Sequence, residues 1–309
     1  MIDLMKLQAF IYAADNLSFS EAARLLHLTQ PTVSHHIKTL EQDFGVELFD
    51  RSGYTPNLTE AGRLLLPWAH KLLRQANDIQ EIMDSLQQKI VGHLRIACST
   101  TAGKYILPQL AARFCQRYPG IRVSIMACTP EHIVPQLLEG EANLAVISSY
   151  DLCGNGLECQ EFFNDFITLI VPAEHSWAMR QSVEPVDLLE EKIIFREPTS
   201  GTRRVLMTEL AKHDIGLDDL NIFLELGNAE AIVKTVQAGF AISFVSTLAA
   251  TWAVSQKQVV AVPVAGLKLQ RKVYMVRRSL DTPNRPQEAF WSFIHHPSNS
   301  DLLRLARTS

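Results

Sequence analysis

The chain lacks any long apolar run. No stretch of its 309 residues approaches the roughly 18 that a membrane helix needs, so no membrane partner is expected. Its start, Met1-Ile2-Asp3-Leu4-Met5-Lys6, shows no basic region followed by an apolar core and does not read as a signal peptide. Cysteine is scarce. The five residues, at 98, 115, 128, 153 and 159, are odd in number and lack metal-ligand spacing, which fits a reducing compartment and a cytoplasmic protein. Positive charge is short as well: 29 Lys and Arg face 33 Asp and Glu, a net charge of −4. Residues 1–91 hold 8 basic and 11 acidic side chains, a balance of −3. Such a chain is no indiscriminate coater of nucleic acid, and any contact with DNA must come from a local basic face. The HExxH, GxSxG and P-loop spacings are missing too, which argues against an enzyme. His35-His36 and His295-His296 are adjacent pairs that diverge on a helix and chelate poorly, so neither a metal nor another cofactor is expected.

What the chain does have is a run of short helical patterns. Leu4, Leu7, Phe10, Ile11 and Ala14 have helical spacing and give a first helix with one buried stripe. Ser18-Phe19-Ser20-Glu21 fits a capping box and starts a short second helix rich in alanine. Leu28-Thr29-Gln30-Pro31 makes a turn, with Thr29 as cap and Pro31 in the first helical turn. Val33, Ile37, Leu40 and Phe44 then form the apolar stripe of a third helix that Gly45 ends, and Thr32, Ser34, His35 and Lys38 occupy its other face. A helix of this size fits the major groove, with its N-terminal residues at the base edges. Glu47–Arg51 and Asn57–Thr59 flank the turn formers Ser52–Pro56 and read as a small hairpin, a wing. The plainer alternative is a small helical bundle with no DNA role.

A long helix follows from a Thr59 cap. Leu65, Ala69, Leu72, Ala76, Ile79, Met83, Leu86 and Ile90 alternate in steps of four and three, a coiled-coil seam that calls for a partner helix. A homodimer explains it; packing on the helix's own domain is the alternative. Beyond Val91-Gly92, strand and helix patterns alternate, and the run His93–Ser148 reads as βαβαβ with parallel strands. Further strands are expected near 168–171, 192–195, 221–225, 241–245 and 271–276, with helices near 202–213, 229–237 and 287–294.

The first 65 residues strongly resemble the LysR-type transcription regulators. The resemblance rests on Ser18-Phe19-Ser20-Glu21-Ala22-Ala23, Leu28-Thr29-Gln30-Pro31-Thr32-Val33-Ser34, Ile37-Lys38-Thr39-Leu40-Glu41, Gly45-Val46-Glu47-Leu48-Phe49-Asp50-Arg51 and Leu58-Thr59-Glu60-Ala61-Gly62. The remainder resembles the family's effector domain, which is similar to periplasmic solute-binding proteins. The resemblance implies an α+β multi-domain chain: a winged helix-turn-helix over 1–58, a linker and dimerisation helix over 59–91, and an effector domain over 92–309. Within the last, one subdomain would span about 92–161 and 268–309, the other about 162–267. It also implies promoter DNA, a small-molecule effector and RNA polymerase as partners, a homotetramer built from dimers, and activation as the usual outcome. The DNA-contacting positions carried over are Gln30, Pro31, Thr32, Ser34, His35, Lys38 and Arg51. The family often has arginine where this chain has His35, and often more arginine in the wing than 52–57 holds.

Three hydroxyl-rich segments stand at expected strand ends: Ser99-Thr100-Thr101, Ser148-Ser149, and Thr199-Ser200-Gly201-Thr202, the last opening a helix as an anion-binding N-terminus would. In the family these positions line the inducer cleft, and a small anionic ligand is expected there. Asn228, before the Ala229 helix, is a fourth candidate. The alternative is that these side chains only cap helices. Two other readings compete. A solute-binding carrier or an α/β enzyme would explain 92–309 but not the first 58 residues. Cys153 and Cys159 could form a redox-sensitive pair, although two buried structural cysteines explain them as simply.

Overall fold

Asp3, Ser18 and Thr29 each turn the chain into a helix by accepting a backbone N–H with the side chain: from Met5, Glu21 and Thr32 respectively. The helices they start are α1 (Leu4–Asn16), α2 (Phe19–Leu26) and α3 (Gln30–Phe44). The computed structural model describes residues 2–52, 55–85, 91–148, 153–154, 156–279 and 284–305. By contacts the chain forms two compact units, one of Met1–Gln88 and Glu139–Glu141, the other of Lys89–Leu138 and Ala142–Ser309.

In the first unit, Leu7, Phe10, Ile11 and Ala14 of α1 pack with Ala22, Ala23, Val33, Ile37 and Leu40. The ends of two expected stripes fall outside this core: Leu4 and Phe44 are exposed, each at a helix end where the bundle no longer covers it. Two short strands, β1 (Phe49–Asp50) and β2 (Asn57–Leu58), pair antiparallel as the wing. Phe49 is buried with its ring edge-on to Phe10 and Phe19, which ties the wing to the bundle.

Helix α4 (Glu60–Ser85) begins where Thr59 Oγ1 accepts the Gly62 N–H at 3.0 Å. Leu65 and Ala69, expected in the dimer seam, instead complete the core of their own domain. The apolar residues left outside are Leu64, Trp68 (62% exposed), Leu72, Ile79 (60% exposed) and Met83. The exposed apolar residues of α4 therefore begin at Leu64 and Trp68 and not at Leu65 and Ala69, because the bundle covers the 65/69 line. Leu86 and Ile90 lie outside the described residues, as do Gly53 and Tyr54 of the wing.

The second unit opens with β3 (Gly92–Cys98), α5 (Thr101–Arg117), β4 (Ile121–Ala127), α6 (Pro130–Leu138) and β5 (Leu144–Ile147). The three strands are parallel in the order β4-β3-β5, as the alternating pattern predicts. Then comes β6 (Leu157–Pro172), a 16-residue strand that starts well before the expected Thr168. Its first part, to Phe166, pairs antiparallel with β11 (Gln270–Arg278); from Ile167 onward it pairs with β9 (Ile242–Ser246) and β10 (Val259–Val262). One strand therefore passes from one half of the sheet to the other and divides the unit into two lobes.

The second lobe adds β7 (Ile193–Arg196), α7 (Gly201–Leu210), β8 (Ile222–Leu226), α8 (Ala229–Gln237) and α9 (Thr247–Ser255). Helix α10 (Arg285–Phe293) and α11 (Ser300–Leu305) close the chain. Each lobe has its own core: Phe114 packs between Phe290 and Phe293 in the first, and Phe195, Leu206 and Phe244 cluster in the second. The sequence pattern misses α9 because Thr-Leu-Ala-Ala-Thr-Trp-Ala-Val-Ser is apolar on several faces, leaving no single stripe to detect. Cys153 and Cys159, for which a redox-sensitive pair and two buried structural cysteines are the alternatives in sequence, are half-buried and joined by a disulfide.

Candidate functional site

Helix α3 presents Gln30, Pro31, His35 and Lys38 to solvent, with Thr32 and Ser34 half-buried beside them. Two hydrogen bonds order its first turn: Gln30 Nε2 donates to Ser34 Oγ (2.9 Å), and the hydroxyls of Thr29 and Thr32 are 2.7 Å apart. Lys38 has no ion-pair partner among the described residues, so its ammonium is available for a phosphate. Arg51 differs. Its guanidinium donates to Glu41 Oε2 at 2.9 Å and lies 5.4 Å from the centre of the Phe19 ring. Glu41 in turn accepts the N–H groups of Leu48 and Phe49. Arg51 is therefore first a brace holding the wing to the bundle, and only its remaining N–H groups can reach a phosphate.

In the second unit a narrow cleft runs between the two lobes. Its walls include Ser99, Thr100, Thr101 and Ser148 from the first lobe and Thr199, Ser200 and Gly201 from the second. Both helix starts carry caps: Gly103 N–H donates to Thr100 Oγ1 (2.8 Å) on α5, and Thr202 N–H donates to Ser200 Oγ (3.2 Å) on α7. The lobes meet closely at Gly201, where a Cβ would fall 2.5 Å from Ser148 Oγ and 2.7 Å from Arg271 Nη1. Only glycine lets a hydroxyl and a guanidinium approach the first turn of α7 this way. The space left free is about 40 Å³, room for roughly three water molecules.

Two family models match the chain, the bacterial regulatory helix-turn-helix of the lysR family over residues 4–63 and the LysR substrate binding domain over 87–297. The chain belongs to the LysR family. Among curated relatives, an HTH-type transcriptional regulator of Methanocaldococcus jannaschii is 32% identical over 287 residues, 93% of this chain and 96% of that protein. A probable RuBisCO transcriptional regulator of Trichormus variabilis is 30% identical over 298 residues, 94% of this chain and 88% of that one. The crystal structure of full-length CbnR with its target DNA has the same fold, with a TM-score of 0.73 at 21% identity over 95% of this chain and 99% of that one. The chain is thus a LysR-type transcriptional regulator with a DNA-binding and an effector-binding domain, of a family of regulators and not of enzymes. No helix among the described residues is long and apolar enough to cross a membrane.

The cleft of this LysR regulator differs from the sequence expectation at several positions. Thr202 is buried behind the wall, beside a separate void of about 10 Å³, with its hydroxyl unpartnered among the described residues. Asn228 caps α8 by accepting the Ala231 N–H at 3.0 Å and does not line the cleft. Asn228 follows the plainer reading of a helix cap, whereas Thr202 is neither a cap nor on the cleft wall. Ser149 lies outside the described residues. Missed entirely were Arg196, Glu197, Arg204 and Arg271, which put three guanidinium groups and one carboxylate on the wall. Arg196 donates twice to Glu197 (2.7 and 2.8 Å) and reaches Thr101 Oγ1 in the other lobe at 3.4 Å. Arg196 ends the buried strand β7, and a charge closing an apolar strand was the available signal.

Proposed function

We propose that this LysR-type regulator holds a small anionic metabolite between its two lobes and that the ligand changes how the protein reads promoter DNA. The observation that carries the reading is the meeting of Ser148 Oγ and Arg271 Nη1 at the first turn of α7, over Gly201. A hydroxyl, a guanidinium and the N–H end of a ten-residue helix converge there. The helix end contributes about half a positive charge, and Arg196 and Arg204 add theirs along the same wall. Glu197 offsets part of this, which favours a compact anion over a polyanion. The small free volume supports the same choice: a carboxylate, sulfate or phosphate group fits, and anything larger requires the lobes to part.

The ligand acts through different affinities for two lobe arrangements, of order 1–3 kcal/mol. Residues Gln30, Thr32, Ser34, His35 and Lys38 of α3 then read the groove, with Pro31 setting the helix start and Arg51 the wing. Reading two half-sites needs two heads. We assign their pairing to the exposed line Leu64, Trp68, Leu72, Ile79 and Met83 on α4, with the family's tetramer and its activating contact with RNA polymerase as the larger assembly. The relative in Trichormus variabilis, a probable RuBisCO transcriptional regulator, supports a metabolic target class without naming this chain's own promoter. The test is to select genomic fragments on the purified protein and repeat the selection with sulfate, phosphate esters or carboxylates present. An anion that alters the footprint of wild type, and not of a Ser148→Val variant, supports the reading. Fragments bound identically under every condition would refute it.

A further inference from the structure

The disulfide between Cys153 and Cys159 closes a tight turn, with Cα atoms 5.8 Å apart. Gly154 and Leu157 exchange both backbone hydrogen bonds across that turn, at 3.3 and 3.0 Å. Gly154 and Gly156 take φ of +106° and +85°, a region that residues with a Cβ rarely enter. Backbone bonds alone therefore bring the two cysteines near each other, and the sulfurs stay neighbours when the bond between them is open. Both residues are partly exposed, so a thiol reagent can reach them.

The position of the turn gives the bond a consequence. Cys159 lies on β6 opposite Val276 of β11, at the edge of an apolar cluster that holds Ile147, Leu157 and Val276. Ile147 ends β5, and the next residue, Ser148, lines the cleft. Cys98 and Cys128 contrast with this pair. Burial pushes the Cys98 thiol up to about 11 and raises that of Cys128, which keeps both protonated and unreactive.

We propose that Cys153 and Cys159 form a reversible redox-modification site whose state sets how firmly the start of β6, Leu157–Gln160, is held against β11. The oxidant is a small-molecule disulfide of the glutathione type, and the reductant a thiol or dithiol. One cysteine thiolate attacks the oxidant, forming a mixed disulfide and expelling one glutathione thiolate. The second cysteine thiolate then attacks the cysteine sulfur of that mixed disulfide, forming the Cys153–Cys159 bond and expelling the second glutathione. Two electrons pass from the cysteine pair to the oxidant, and the two cysteine protons end on the two glutathione thiols. A dithiol reverses each step. The proposal concerns the chain's own sulfur and stands whether or not the cleft takes an anion.

The test uses the full-length protein equilibrated at graded ratios of reduced to oxidised glutathione, quenched in acid, alkylated and mapped by peptide mass. The linked Cys153–Cys159 species, unalkylated and lighter by two hydrogen atoms than the free dithiol, should give way to the doubly alkylated form within that series, while Cys98 stays unlinked throughout. Amide hydrogen exchange over residues 156–160 should be several-fold faster in the reduced protein, with the helix-turn-helix unmoved. The double variant Cys153→Ser, Cys159→Ser should exchange like the reduced wild type and ignore glutathione. A pair that stays dithiol in oxidised glutathione, or stays linked in reduced glutathione, overturns the proposal. So does equal exchange in the two states.

Discussion

Arg271 and Asp165 face each other directly across the antiparallel pair β11–β6, with Nε donating to Oδ2 at 2.9 Å, two residues before β6 changes partners at Ile167. Both are buried, and Ser246 donates to the other carboxylate oxygen at 2.5 Å. The same guanidinium turns its Nη1 toward Gly201 in the cleft. A buried ion pair adds little net stability over an apolar pair, but removing one partner leaves a charge without compensation and costs about 3–5 kcal/mol. Asp165→Asn keeps the size and loses the charge. Denaturant titration of the full chain should show the effector unit destabilised by that amount. A loss below about 1 kcal/mol, the level of an exposed pair, would show that the pair is solvated and not a buried support.

Lys38 should contribute to DNA affinity without choosing sequence. It is exposed on the reading face of α3 and free of carboxylate partners among the described residues. Lys38→Ala should weaken binding to different duplexes alike and lower the slope of log affinity against log salt by about one unit. An unchanged slope at unchanged affinity takes this face out of the interface.

The exposed apolar line on α4 predicts an assembly defect. Ile79 and Leu72 stand outside their own domain's core, and burying such a side chain contributes roughly 1.5–3 kcal/mol, counted twice in a two-fold dimer. Leu72→Glu with Ile79→Glu should lower the sedimenting mass and DNA affinity together. Leu65→Glu should instead unfold the first unit, since Leu65 packs on its core. If the double variant sediments as wild type does, the line is not the interface.

His93 gives the effector unit a pH dependence of known sign. Burial, reinforced by Arg95 and Arg122, pushes its imidazole below the ordinary value of 6.5. The neutral ring is the folded form, bonded through Nε2 to Ser124 Oγ at 2.7 Å. Its contribution is therefore complete above 6.5 and is lost as pH falls through the lowered value. Denaturation midpoints measured from pH 7.5 down to 5 should drop, and His93→Gln should flatten part of that drop. Parallel curves for variant and wild type would contradict the assignment.

The DNA-binding half was legible in the sequence because its signals are local. Ser18 and Thr29 caps, the Val33-Ile37-Leu40 stripe and the Phe49–Leu58 hairpin all depend on residues within a few turns of one another. The apolar periodicity of α4 was legible, but not which of its first turns the bundle covers, since Leu64 and Leu65 are equally apolar and only the packed domain decides between them. The cleft was half legible. Thr100 and Ser200 announce helix starts, but a cap and a ligand-binding hydroxyl look alike in sequence, so Thr202 and Asn228 were counted with the wall they stand behind or away from. Arg196 and Arg204 stand on the neighbouring elements β7 and α7, but Arg271 comes from the distant β11, and only the sheet's crossover at β6 brings it beside them. The same long-range pairing extended β6 back to Leu157, through Asn164 and Asp165, which read as loop residues in isolation.

The measurement that bears most directly on ligand control is calorimetric titration of the cleft in wild type and in Gly201→Ala. The added methyl group would fall 2.5 Å from Ser148 Oγ and 2.7 Å from Arg271 Nη1, so it pushes aside the two side chains proposed to hold the anion. A panel of sulfate, phosphate esters and small carboxylates should contain at least one that binds wild type, while the variant loses that binding and keeps its DNA affinity in the ligand's absence. Equal anion binding by both proteins would contradict the account, because the ligand would then sit elsewhere.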